Sequence, residues 1–134
     1  MHRTPVHVRW SDLDPYRHVN HAAYLTYLEN ARIDALEAIG WGMDRLTEMG
    51  YMVVVVQIEV RFRRPATAGD DLVVQSAVTE IRPASSRWHQ QILRNGEVIL
   101  EADVRAAATG NDGRPARAPG ELNAALEALR GTPA

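Results

Sequence analysis

Cysteine is absent from the 134 residues, which excludes disulfide frameworks, thiolate nucleophiles and cysteine-based zinc sites. Lysine is absent too. All 15 basic residues are arginines, so Schiff-base chemistry and a lysine-dependent phosphate loop are closed to this chain. No G-x-S-x-G is present and the chain is too short for an α/β-hydrolase, which removes a serine nucleophile of that type. The most apolar run, Tyr51 to Val56, falls far short of the roughly 20 residues that span a bilayer. The opening MHRTPVHVRW lacks the apolar stretch of a secretory signal, so a cytoplasmic protein away from membranes is expected. A formal net charge of -2 gives no nucleic-acid footprint, although arginine clusters remain able to bind a phosphorylated small molecule.

What is present suits one domain over residues 1–134, since 46% of the residues are hydrophobic and can build a core without disulfides. Val6, Val8 and Trp10 alternate with His7 and Arg9, the pattern of a short strand with one buried face. From Asn20 to Ile39 the residues Tyr24, Leu25, Leu28, Ala31, Ala35, Leu36 and Ile39 recur at helical spacing, with Gly40 placed to stop the helix. A short helix is expected over Met43 to Met49.

Tyr51 to Arg63 is valine-rich and reads as a long strand buried on both faces for part of its length, central in a sheet or at a subunit interface. After a turn at Pro65 to Asp71, Leu72 to Ile81 forms the next strand. Trp88 to Leu93 and Glu97 to Thr109 are joined by Asn95-Gly96, a strong hairpin signal. Val98, Leu100, Ala102, Val104 and Ala106 share one face of the last strand, with Ile99, Glu101, Asp103 and Arg105 on the other. Glu121 to Leu129 reads as a short amphipathic helix, followed by a loose tail. The order predicts an α+β fold, an antiparallel five-stranded sheet wrapped around one long helix.

The chemistry concentrates in WSDLDPYRHVNHAAYLTYLENAR, residues 10 to 32, where carboxylates and histidines precede the helix. Asn20 can cap it, leaving backbone N–H groups at the positive end of the helix dipole to stabilise an oxyanion. Asp14 lies just upstream as nucleophile or base. An Asp before Pro also makes an ordinary turn.

The order Asp12, Asp14, Pro15, His18, Asn20, Tyr24, Glu29, Arg32 resembles the opening of the hotdog-fold acyl-CoA thioesterases, nearest to the 4-hydroxybenzoyl-CoA thioesterase group. The WSDLDxxxHVN wording is similar to plant acyl-ACP thioesterases. Residues 60 to 70 and 108 to 119 resemble later segments of that family more weakly. The resemblance implies a hotdog fold, hydrolysis of acyl-CoA or an acyl carrier protein thioester without metal or organic cofactor, and a homodimer or homotetramer. It implies Asp14 as the catalytic carboxylate and the main-chain N–H of His21 as the oxyanion donor.

Asp12 is expected to brace the loop through backbone N–H groups. His18 either hydrogen-bonds the substrate carbonyl, orients the carboxylate, or braces the loop; the benzoyl enzymes have no histidine here, whereas the acyl-ACP pattern does. The spacing His18-x-x-His21 matches no recognised zinc signature. Tyr24 and Tyr27 read as core or pocket wall. Glu29 and Arg32, three apart, read as a surface ion pair, with Glu29 a reserve base because some hotdog thioesterases use a helix glutamate. By resemblance Arg82 and Arg87 fall where basic residues meet coenzyme A. Two other functions remain open on the same fold. One is a hydroxyacyl thioester dehydratase pairing His18 with Glu29, and the other a non-catalytic acyl-thioester-binding protein.

Overall fold

The computed structural model describes residues 1–131, so the expected tail beyond Gly131 lies outside the described residues. Five strands, β1 (His2–His7), β2 (Tyr51–Phe62), β3 (Asp71–Arg82), β4 (Ser85–Arg94) and β5 (Glu97–Gly110), form one antiparallel sheet in the order β1-β3-β4-β5-β2. It packs on the long helix α1 (His21–Ala38), the hotdog arrangement. Helix α2 (Met43–Glu48) leads into β2. Helix α3 (Gly120–Leu126) continues into a 3-10 turn at Glu127–Leu129 that buries Leu122, Leu126 and Leu129.

Helix α1 begins where Asn20 caps it, its side-chain oxygen accepting the Ala22 N–H at 2.8 Å. It ends in a Schellman motif. Trp41 N–H donates to the Leu36 carbonyl at 2.8 Å and Gly40 N–H to that of Glu37 at 3.0 Å, which requires the positive φ of 85° at Gly40. The 18 residues span about 27 Å. Leu28, Ala31 and Ala35 are fully buried, and the two alanines let the helix lie close on the sheet. Tyr27 is buried as expected, whereas Leu25, expected on the apolar stripe, is exposed.

Three strand readings change. Trp10 is 76% exposed rather than on a buried face, because β1 stops at His7 and the chain turns outward through a 3-10 turn at Trp10–Asp12. Ile99 and Leu100 are both buried, since the β4–β5 register slips between Ile92 and Leu93 and ends strict alternation there. Strand β2 is at the edge of the sheet, not its centre, and in the protomer it is largely exposed. Its valines read as burial, yet among the described residues only β5 pairs with it. The opposite edge, β1, has six residues and carries Pro5, a common guard against further pairing. β2 has twelve residues and no proline. Among the described residues, no helix is long and apolar enough to cross a membrane.

Candidate active site

The loop between β1 and α1 folds on itself around the Asp14 carboxylate. Oδ1 of Asp14 accepts the N–H groups of Tyr16 at 2.8 Å and His18 at 3.1 Å, while the Asp14 N–H donates to the His18 carbonyl at 2.7 Å. Arg17, at the tip, takes a φ of 63° to close the turn. Main chain, and not the His18 ring, therefore orients Asp14. Among the described residues nothing hydrogen-bonds Oδ2 of Asp14 or the imidazole of His18.

Asp12 acts as a brace. Its Oδ2 accepts the Arg9 N–H at 3.1 Å and the Tyr27 hydroxyl at 2.6 Å. Burial, with the bond to Asp12 adding, pushes the Tyr27 phenol up from its ordinary value and keeps it a donor.

The turn after β2 seats this loop. The Val19 N–H donates to the Ala66 carbonyl at 2.8 Å, and the Ala66 N–H donates to the Tyr24 hydroxyl at 2.9 Å. His18 and Thr67 form a bridge. Asp70 holds the turn closed by accepting the Thr67 N–H at 2.9 Å, and Arg94 ties Asp70 to the Pro65 carbonyl at 3.0 and 2.9 Å. Tyr24 is buried, with the Phe62 ring edge-on at 5.7 Å. Burial pushes its phenol up, the Ala66 bond opposing. The sequence marks Tyr24 as core or pocket wall and residues 60 to 70 as a weaker resemblance, but nothing in it signals the bonds of this clamp or the part played by Arg94.

At the start of α1, Asn20 caps Ala22 with its side chain and Ala23 with its carbonyl. The His21 N–H is left without an acceptor among the described residues. Asp14, His18, His21 and Tyr24 line one open cavity of about 290 Å³, faced by Phe62, Arg63 and Arg64. Arg63 and Arg64 are already paired with Glu101 and Glu97. A carboxylate and an unpaired helix N-terminal N–H on one cavity can serve acyl transfer, the first to attack or activate water and the second to hold the developing oxyanion.

Arg82 and Arg87 lie elsewhere in the protomer. Arg82 is level with Ser85, Ala107 and Val54, whereas the cavity is level with Phe62, Leu100 and Ile92. Val54 and Phe62 are eight residues apart on β2, about 26 Å. Both arginines also share one carboxylate, Arg82 Nε on Oε1 of Glu80 and Arg87 Nε at 2.9 Å on Oε2, a partner not anticipated from the sequence.

Glu29 and Arg32 do not form the expected ion pair. Arg32 is half-buried and donates to Oε1 of Gln90 at 2.8 Å. Glu29 is exposed and lines a second cavity of about 410 Å³ beside Arg32 and Val53 to Val55.

The model of the thioesterase-like superfamily matches residues 8–126. The long-chain acyl-CoA thioesterase FadM of Escherichia coli is 34% identical over 95% of this chain and 98% of its own. The chloroplastic acyl-acyl carrier protein thioesterase ATL3 of Arabidopsis thaliana is 30% identical over 90% of this chain, which spans 65% of that protein's length. Among solved structures, the Thermus thermophilus protein TT1821 is similar with a TM-score of 0.90 at 30% identity, over 96% of this chain and 98% of that one.

The clamp at Asp70 sets an acid limit on stability. Its bonds from Thr67 and Arg94 hold the carboxyl below its ordinary 3.8, so they stabilise the fold above that pH and cease to as pH falls through the lowered value. Asp70→Asn should unfold about 3 °C earlier at neutral pH, the scale of about 1 kcal/mol in a domain this size. In melting curves across pH, the gap from the wild type should narrow below about pH 4. A gap independent of pH would show that the carboxylate's charge is not what closes the turn.

Proposed function

The chain belongs to the thioesterase-like superfamily, and we propose that it hydrolyses acyl-CoA or a related acyl thioester to the free acid and the thiol, with Asp14 as the catalytic carboxylate. The observation that carries this reading is the shared cavity, which both Asp14 and His21 line, with the His21 N–H unpaired among the described residues. Asp14 either attacks the thioester carbonyl, expelling the thiolate and leaving an anhydride that water cleaves, or takes the proton of a water that attacks instead. In both routes the carbonyl oxygen gains charge and the His21 N–H stabilises it. Asn20 sets this donor by capping the amides beyond it, and His18, with a free ring at the rim, is placed to hydrogen-bond the carbonyl. Tyr24 contributes wall.

Replacing Asp14 by Asn keeps the loop-closing oxygen while removing nucleophile and base. The variant should fold and assemble normally yet lose about 10²- to 10⁴-fold in turnover of acyl-CoA followed by thiol release. Turnover within a few-fold of wild type would transfer the role to Glu29 or His18.

The site is completed, in this reading, by a second copy of the chain. Val53, Val55, Val56, Ile58 and Phe62 are 36–55% exposed on a strand with one free edge, a combination that invites pairing. Antiparallel pairing of β2 with its copy across a two-fold brings the Phe62 end of one protomer beside the Val54 end of the other. Asp14 would then meet the larger apolar cavity of its partner. Light scattering should give at least twice the 14.9 kDa chain mass. Val56→Lys with Ile58→Lys should shift it to monomer and abolish turnover. A wild-type monomer with full activity would refute the arrangement.

The same pairing carries Arg82 and Arg87 toward the partner's Asp14, where they serve coenzyme A phosphates in competition with Glu80. Removing both charges should raise KM for acyl-CoA about three- to tenfold with little change in kcat. Glu80→Gln should lower KM by freeing both guanidinium groups. Unchanged KM in both variants would leave the carrier's phosphates to other arginines, or point to acyl carrier protein as the carrier.

A further inference from the structure

A buried polar chain runs from the sheet to the floor of the 410 Å³ cavity. Gln90, fully buried on β4, donates through Nε2 to the Leu28 carbonyl and to the Ser76 hydroxyl, both at 3.0 Å. These two bonds fix its amide, so Oε1 points to Arg32 and accepts from Nη1 at 2.8 Å. The guanidinium is thereby locked in place with its other N–H groups uncommitted among the described residues, and no carboxylate pairs with it. Burial depresses its affinity for the proton, with Glu29 opposing. Apart from Arg32 and Glu29 the walls of the cavity are apolar, including Leu36, Val53, Val55 and Ala106, and the Trp88 N–H is spent on Ser86 at 3.1 Å.

A guanidinium half out of water with no carboxylate in contact, and only the exposed Glu29 acting on it from one turn away, is costly, and a methionine of similar length would fill the same space without that cost. The cost is offset when a ligand supplies the acceptor. Glu29, one helical turn away on the same cavity, offers the complementary acceptor oxygens. Resting on the thioesterase reading, we infer that this cavity takes an acyl group bearing a distal oxygen, a hydroxyl or a carboxylate, that accepts a hydrogen bond from Arg32, in preference to a plain alkyl chain. Arg32 is a specificity residue in this view and takes no part in the bond cleavage.

The test compares plain, ω-hydroxy and ω-carboxy acyl-CoA at butanoyl, hexanoyl and octanoyl length. For at least one length, the wild-type protein should favour an oxygenated member by about tenfold or more in kcat/KM, the scale of one net hydrogen bond to a charged group. Arg32→Met should erase that preference by slowing the oxygenated substrate and leaving the plain one within a few-fold. Non-hydrolysable thioether analogues of the same series, read by their thermal shift on the wild type, should follow the same order. A wild type that treats plain and oxygenated chains alike, or favours the plain ones, overturns the inference while leaving the hydrolase reading intact. If no thioester is turned over, the hydrolase reading fails and the order of the thermal shifts decides this inference alone; equal shifts overturn it. Should Arg32→Met not fold, the wild-type order decides. A lead for the carboxylate would mean that Arg32 alone meets the ligand, and a lead for the hydroxyl that Glu29 shares it, either of which supports the site.

Discussion

The arrangement of the site depends on the two hydrogen bonds of one small residue, Ala66. It is fully buried, its carbonyl taken by the Val19 N–H and its own N–H given to the Tyr24 hydroxyl. The first bond fastens the end of the loop that carries Asp14. The second fastens the first turn of α1. Because both ends meet on the same residue, Asp14 and the start of the helix line one cavity without a direct side-chain bond between them. Asp70 and Arg94 hold the peptides on either side of it, through the Thr67 N–H and the Pro65 carbonyl. A site of this kind gains its precision from backbone geometry, which tolerates less drift than paired flexible side chains.

A second constraint comes from the buried Gln90. A glutamine without exposure must satisfy its amide, and here it does so by bridging α1, β3 and β4. The helix carbonyl of Leu28 gains a partner beyond its own ladder, and Arg32 is drawn inward from the solvent face. Fold stability and the polarity of the second cavity are thus set by one side chain. The cost of burying a charge near it gives that cavity a chemical preference that its apolar walls alone would lack.

The edges of the sheet divide the molecule functionally. At β1, proline and short length discourage another strand. At β2, exposed valines run along a free edge with none of these guards. Exposed apolar surface of that extent marks an interaction site, so residues that resemble core in the sequence lie exposed along the edge of this fold. Distance reinforces the division, since Arg82 is level with Val54 and Arg87 with Gln57, eight and five residues along β2 from the Phe62 level of the Asp14 cavity.

Much of this was legible in the residues themselves. Local rules sufficed for the Asn20 cap, the stop at Gly40, the Asn95-Gly96 hairpin and the order of elements, because each rests on interactions within a few positions of the chain. The motif around Asp14 marked the loop and helix start that the fold brings to one cavity. What local rules could not reach were the contacts between segments far apart. A run of valines looks alike at the centre and the edge of a sheet, so the place of β2 was open until all five strands were laid side by side. Alternation failed at Ile99 because a register slip is a property of two strands. Glu29 and Arg32 stand three apart on a helix, which suggests an ion pair, yet Gln90, 58 residues beyond Arg32, captured the guanidinium. Glu80 likewise took both arginines assigned to the carrier. The sequence by itself determined which backbone conformations and apolar faces were available. Only the tertiary structure decided which polar group met which, because hydrogen bonds and charges act over a few ångströms and the chain brings distant residues that close only when it is folded.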